Sequence, residues 1–160
     1  MRTPGALAIA VLAIAGTLTG CAGSGGGGGG GAPPQPACTT TSAPTISFSM
    51  DIQPIFSRSC ALPSCHTAAP VPAQGMDLSA GLAYSQTVNV ASTEQPKLKR
   101  VKPGNPQDSY LVRKIQGGPN ISGVLMPNGC PGAPLAMAQC LTPDEIAAIV
   151  QWISECAPNN

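Results

Sequence analysis

The chain has 160 residues, of which a leader and a linker take roughly the first 37, leaving about 123 for one small domain. Apolar residues at 42% exclude disorder by composition, but 3% aromatic residues, 19 Gly and 18 Pro predict short elements, long loops and a core helped by disulfides, a metal or a cofactor. A formal charge of +1, with only 9% charged residues, excludes a basic nucleic-acid binder.

Residues 1–20 read as an export signal: Arg2 gives the positive start, Ala6 to Leu18 the apolar run, and small residues follow. A run of about 13 apolar residues is short for a bilayer span, so a signal peptide is expected rather than a transmembrane helix. Leu18-Thr19-Gly20-Cys21 resembles the lipobox of bacterial lipoproteins, which implies that Cys21 becomes the mature N-terminus and carries acyl chains. Residues 21–47 then form the lipidated cysteine and a Gly/Pro-rich linker, most biased from Ala22 to Ala37. Its Gly25–Gly31 run formally satisfies G-x-G-x-x-G, yet neither a strand nor a helix frames it, so that motif is discarded. As a flexible coil the linker spans on the order of 20 Å.

Residues 48–160 read as a mostly α domain. Ile52, Ile55 and Phe56 recur at helical spacing in Phe48 to Ser59, with Pro54 then required in a first turn. Leu78 to Tyr84 predicts a second short helix, and Val88-Asn89-Val90 an extended segment. A third helix holds Tyr110, Leu111, Lys114 and Ile115, started by Asp108 or Ser109 and stopped by Gly117-Gly118. The last has the clearest signals. Thr142 caps it, Pro143 opens it, Glu145 completes a capping box, and Ile146, Ile149, Val150 and Ile153 make one apolar stripe beside Trp152.

The cysteines carry the chemistry. Besides Cys21 there are Cys38, Cys60, Cys65, Cys130, Cys140 and Cys156, and exported thiols do not stay idle. Cys60-Ala-Leu-Pro-Ser-Cys65-His66 contains the single histidine of the chain. It is similar to the C-x-x-C-H haem-attachment motif, with four residues between the cysteines in place of two. Positions i and i+5 stand about 140° apart on a regular helix, so the intervening residues must bulge out if both thiols serve one haem. The other reading of these residues is a local Cys60–Cys65 disulfide with His66 uninvolved.

Over Phe48 to Pro158 the arrangement resembles small class I-type c-type cytochromes of bacteria, especially lipoprotein-anchored ones. The shared phrases run from Ile52-Gln53-Pro54-Ile55-Phe56 through the cysteine–histidine site, Asp77-Leu78 and Val101-x-Pro103-Gly104-Asn105-Pro106 to Ser109-Tyr110-Leu111. Met126-Pro127 and the closing Leu141-Thr142-Pro143-Asp144-Glu145-Ile146 helix complete the set. The resemblance implies a small cytochrome c-like fold of short helices and long loops around one covalent haem c. It implies Cys60 and Cys65 in thioether bonds, and His66 and Met126 as axial iron ligands, with Met50, Met76 and Met137 as rivals to Met126. Phe56 and Trp152 are expected to pack rather than conduct electrons. Lys97, Lys99, Arg100 and Lys102 read as a solvated loop, with a haem-propionate contact for Arg100 or docking of an acidic partner as the functional alternatives.

With Cys60 and Cys65 so assigned, four cysteines remain, in three possible pairings. Cys130–Cys140 and Cys38–Cys156 are favoured, the first bracing the segment after Met126 and the second suiting terminal helices that cross. The resulting expectation is an electron carrier facing the periplasm, lipid-anchored in the inner or outer membrane, whose partners are redox proteins of the cell envelope and not nucleic acid. Two other classes compete: a disulfide-stapled structural lipoprotein without haem, and a zinc or copper site using Cys60, Cys65, His66 and a further cysteine. An independent enzyme is not expected, since the chain has no second histidine, no G-x-S-x-G and no obvious paired carboxylates.

Overall fold

The computed structural model describes residues 38–67, 71–135 and 137–160. The signal segment, the Cys21 lipidation site and the glycine run lie outside the described residues. Among the described residues four short α-helices carry the fold: α1 (Gln53–Ser59), α2 (Ala83–Thr87), α3 (Tyr110–Gln116) and α4 (Pro143–Ser154). Among the described residues there is no strand, only isolated bridges at Val88–Val101, Ala91–Lys99 and Lys99–Ser109. The molecule is a small α fold. No described helix is long and apolar enough to cross a membrane.

The first helical run is not uniform. Phe48–Ile52 is a π-turn, and the Gln53 N–H reaches back to the Phe48 carbonyl. Pro54, in the first turn of α1, has no N–H to offer Met50, and its ring excludes the carbonyl four residues back. The helix therefore widens before it narrows into α1. Ser47 caps the π-turn by accepting the Met50 N–H.

The second helix lies later than the periodicity predicts, at Ala83–Thr87 in place of Leu78 to Tyr84. Asp77 Oδ1 accepts the Ser79 N–H at 2.8 Å, and Leu78, 1% exposed, is drawn into the core by its own N–H bond to the His66 carbonyl at 2.8 Å. That pairing holds Leu78 in a turn. A 3₁₀ turn at Ala73–Gly75 precedes it, which the sequence does not signal.

α3 and α4 match their sequence signals. Gly117 ends α3 in the left-handed region at φ 74°, where a residue without Cβ costs least. At α4, Thr142 and Glu145 make the reciprocal capping box at 3.3 and 2.9 Å. Arg58 of α1 pairs with the same Glu145, so the start of α4 is tied to the end of α1.

The core joins Ile52, Phe56, Leu78, Val101, Val112, Ile115, Ile149, Trp152 and Ile153. Phe48 is its hub, with ring centroids 5.3 Å from Tyr84, 5.4 Å from Trp152 and 6.3 Å from Phe56. Four of the five aromatic side chains are thus spent in one cluster, and Tyr110 alone stands apart from it. Trp152 and Phe56 pack, as expected.

Two disulfides close the structure: Cys38–Cys156, with Cα atoms 5.5 Å apart, and Cys130–Cys140, also at 5.5 Å. The first ties residues before Phe48 to the end of α4. Glu155 reinforces it by accepting the Thr45 and Ile46 N–H groups at 2.9 and 3.1 Å and the Thr45 hydroxyl at 2.6 Å. The folded unit therefore reaches back at least to Cys38, into the stretch assigned from sequence to the linker.

Candidate functional site

The cysteine–histidine segment folds as a closed bulge. α1 stops at Cys60, where both the Cys60 and Ala61 N–H groups bond to the Phe56 carbonyl, at 2.9 and 2.7 Å. A turn follows, with the Cys65 N–H on the Leu62 carbonyl at 2.9 Å and Ser64 at φ 65°. The His66 N–H then returns to the Cys60 carbonyl at 3.1 Å. The extra residues are pushed outward, leaving Pro63 and Ser64 exposed, and Cys60 is brought back beside Cys65-His66. The cysteines remain free thiols and do not pair with each other.

His66 is oriented by the backbone. Its Nδ1 lies 3.1 Å from the Ala73 carbonyl and 3.3 Å from the Met76 carbonyl. Carbonyl oxygens only accept, so Nδ1 carries the proton and the lone pair is on Nε2. Nε2 has no hydrogen-bond partner among the described residues. Burial lowers the pKa of His66 from its ordinary value, and the two carbonyls oppose that only in part. The ring is therefore a neutral imidazole whose Nε2 lone pair is free to bind.

A cavity of about 370 Å³ brings the predicted residues together: Cys60, Cys65, His66, Met126 and Arg100 all line it. Met126 is delivered by the loop after α3, its N–H bonded to the Lys114 carbonyl at 2.8 Å, and the Cys130–Cys140 disulfide follows in the chain. Met50 and Met137 are 77% and 91% exposed and lie outside the cavity. Met76 does line it, but its carbonyl is committed to His66 Nδ1, which places Met76 on the histidine's own side of the site.

The polar wall departs from the sequence reading. Arg100, placed by that reading in a solvated basic loop, is 8% exposed. Its Nη1 and Nη2 donate to the Gln86 and Gln74 carbonyls, each at 2.8 Å, and no described carboxylate pairs with it. Desolvation by burial lowers its pKa from the ordinary arginine value, while the two carbonyl acceptors favour the charged form. Lys114 (7% exposed), Tyr110 and Glu94 line the same wall, and sequence reasoning gave none of them a role there. Their i, i+4 spacing on α3 put Tyr110 and Lys114 on one face, but nothing in the sequence showed that the face bounds a cavity. At the cysteine pair, burial pushes the Cys60 thiol up to about 12, with Cys65 adding to the rise and Arg58 opposing it.

The residues present fit a covalently attached haem. Two thiols, an imidazole with a free nitrogen and a thioether share one cavity, whose volume lies in the ~300–1,000 Å³ range of cofactor sites. The Ser59 hydroxyl, on a cavity-lining residue 3% exposed, has no hydrogen-bond partner. Among the described residues no group of three or more His, Cys, Asp or Glu is gathered as a metal-ion site.

No family model matches the chain, and no curated protein matches it. Among solved structures the chain is similar to Kuenenia stuttgartiensis hydrazine synthase, at 26% identity and a TM-score of 0.44. The likeness covers 71% of this chain but only 16% of that one, and is too slight to define a shared fold.

Proposed function

We propose that the chain is a monohaem electron-transfer protein of the bacterial cell envelope, with a small cytochrome c-like fold, held at a membrane through lipid on Cys21 and facing the periplasm. The observation that carries this reading is that Met126, 60 residues beyond His66 in the sequence, lines the same cavity as the Cys60–Cys65–His66 segment. Cys60 and Cys65 would tether the haem through thioethers, with His66 Nε2 and the Met126 sulfur as axial ligands. A haem held there supplies a one-electron Fe(III)/Fe(II) couple. The chain's own part is to fix the tautomer of His66 through the Ala73 and Met76 carbonyls, to exclude water with the apolar residues of the cavity, and to offer a thioether that favours the reduced state. Arg100, a buried cation with no carboxylate partner among the described residues, suits a propionate. Its partners on this reading are redox proteins of the envelope.

Producing the mature chain with a haem-maturation system tests the proposal. The expected product has a Soret band and keeps its haem on the polypeptide in a denaturing gel. A colourless protein with Cys60 joined to Cys65 would favour the structural lipoprotein instead.

A further inference from the structure

The loop that brings Met126 to the cavity is fastened to α3 by side chains that no ligand set includes. Tyr110 and Lys114 stand one turn apart on α3 and are 5% and 7% exposed. The Tyr110 hydroxyl donates to Glu94 Oε2 at 2.8 Å and accepts the Ser122 N–H at 2.8 Å. Lys114 Nζ donates to the Ser122 carbonyl at 2.7 Å and lies 3.4 Å from the same Glu94 oxygen. Both backbone groups of Ser122 are therefore held by α3 side chains, and Glu94 holds those side chains in turn. Four residues on, the Met126 N–H takes the Lys114 carbonyl. Beside them Gln95 Nε2 donates to the Asn120 carbonyl at 3.0 Å. Gly123 and Val124, between the two attachment points, are exposed.

We propose that Glu94, Tyr110 and Lys114 act as a clamp that positions Met126. They hold the loop so that its thioether stays at the cavity wall and resists displacement by outside ligands. This rests on the haem reading above. Removing the phenol would leave the Ser122 N–H without its acceptor and free one end of the loop. The three are positioning residues, since what they hold is the segment that bears the ligand.

The test uses the haem-loaded mature chain and imidazole, which competes with the thioether for iron. Tyr110→Phe should keep the haem content of the parent while imidazole binds about tenfold more tightly, equivalent to about 1.4 kcal/mol. Thr142→Ala, which removes the α4 capping box without touching the clamp, should lower stability and leave the imidazole affinity unchanged. An unchanged affinity in Tyr110→Phe, or an equal shift in Thr142→Ala, would overturn the clamp. Should Tyr110→Phe not fold, Glu94→Gln is read by the same titration, with a tighter imidazole affinity expected and an unchanged one counting against the proposal. A parent chain with no Soret band would sink the haem reading separately. In that chain, amide exchange at Ser122 and Met126 still reads the clamp: it should quicken about tenfold in Tyr110→Phe, and equal rates would refute the fastening.

Discussion

The His66 N–H is bonded to the Cys60 carbonyl at 3.1 Å, and that bond closes the bulge between the two cysteines. It replaces the i, i+3 geometry of a regular helix by a loop that returns on itself, so the longer spacing does not carry Cys60 away from the cavity. The expected outcome is two thioethers per haem. A pyridine haemochrome spectrum counts the saturated vinyl groups, and one free vinyl would leave Cys65 alone attached.

Met126→Ala should abolish the near-infrared sulfur-to-iron band of the oxidised protein and lower the reduction potential, with the haem still covalently bound. Met76→Ala should keep the band, because Met76 belongs to the wall that orients His66. Met137→Ala should also keep it, since Met137 is 91% exposed. Loss of the band in either of those variants would reassign the ligand.

Gly104→Ala should destabilise the fold by about 1–3 kcal/mol, through backbone strain and overpacking. Gly104 sits at φ +73°, and a Cβ there would come within 2.5 Å of Cys38 Sγ. The steric share disappears if the sulfur is absent. Denaturant unfolding should therefore show a smaller penalty for Gly104→Ala in a Cys38→Ala/Cys156→Ala background than in the parent, and an equal penalty would mean that the disulfide is not the obstacle.

Glu155 sets an acid limit. Hydrogen bonds, first from the Thr45 side chain and then from the Ile46 and Thr45 N–H groups and Gln151, lower its pKa from 4.5 to about 2. A depressed carboxylate stabilises the fold above its unfolded pKa, and that contribution is lost as pH falls through the folded one. Stability should therefore decline between roughly pH 4.5 and 2. Glu155→Gln should lower stability at pH 7 and flatten that stretch of the profile. An unchanged slope would show that other carboxylates govern it. The side chain is only half-buried, so solvent and salt screen the effect and keep it small.

What could be read from sequence was local. Thr142, Pro143 and Glu145 state the start of α4 in adjacent residues, and Gly117 states the end of α3, so both helices were legible. Leu78 misled because its burial comes from a bond to the distant His66 carbonyl and not from helical periodicity. Arg100 looked like one charge in a basic run. Its burial depends on the carbonyls of Gln74 and Gln86, which converge only in the fold. The same holds for the site. Cys60, Cys65 and His66 stood out by their adjacency, whereas Glu94 met Tyr110 and Lys114 only through tertiary structure. The two disulfides have the pairing favoured from sequence.

Cys38 and Cys156 are bonded, and this has a mechanical meaning for a domain proposed to hang from a membrane. A pull arriving along the chain at Cys38 passes through sulfur into the end of α4 at the same instant as it reaches the backbone beyond. The segment from Cys38 to Ser47 cannot be peeled away one bond at a time, because both of its ends are fixed to the body, by sulfur at one and by the Ser47 hydroxyl bond to the Asn160 carbonyl at the other. Glu155, Asn160 and the disulfide each hold that segment to the body, so no one of these links alone fixes it. The cavity at Cys60, Cys65, His66 and Met126 is lined by other segments of the chain.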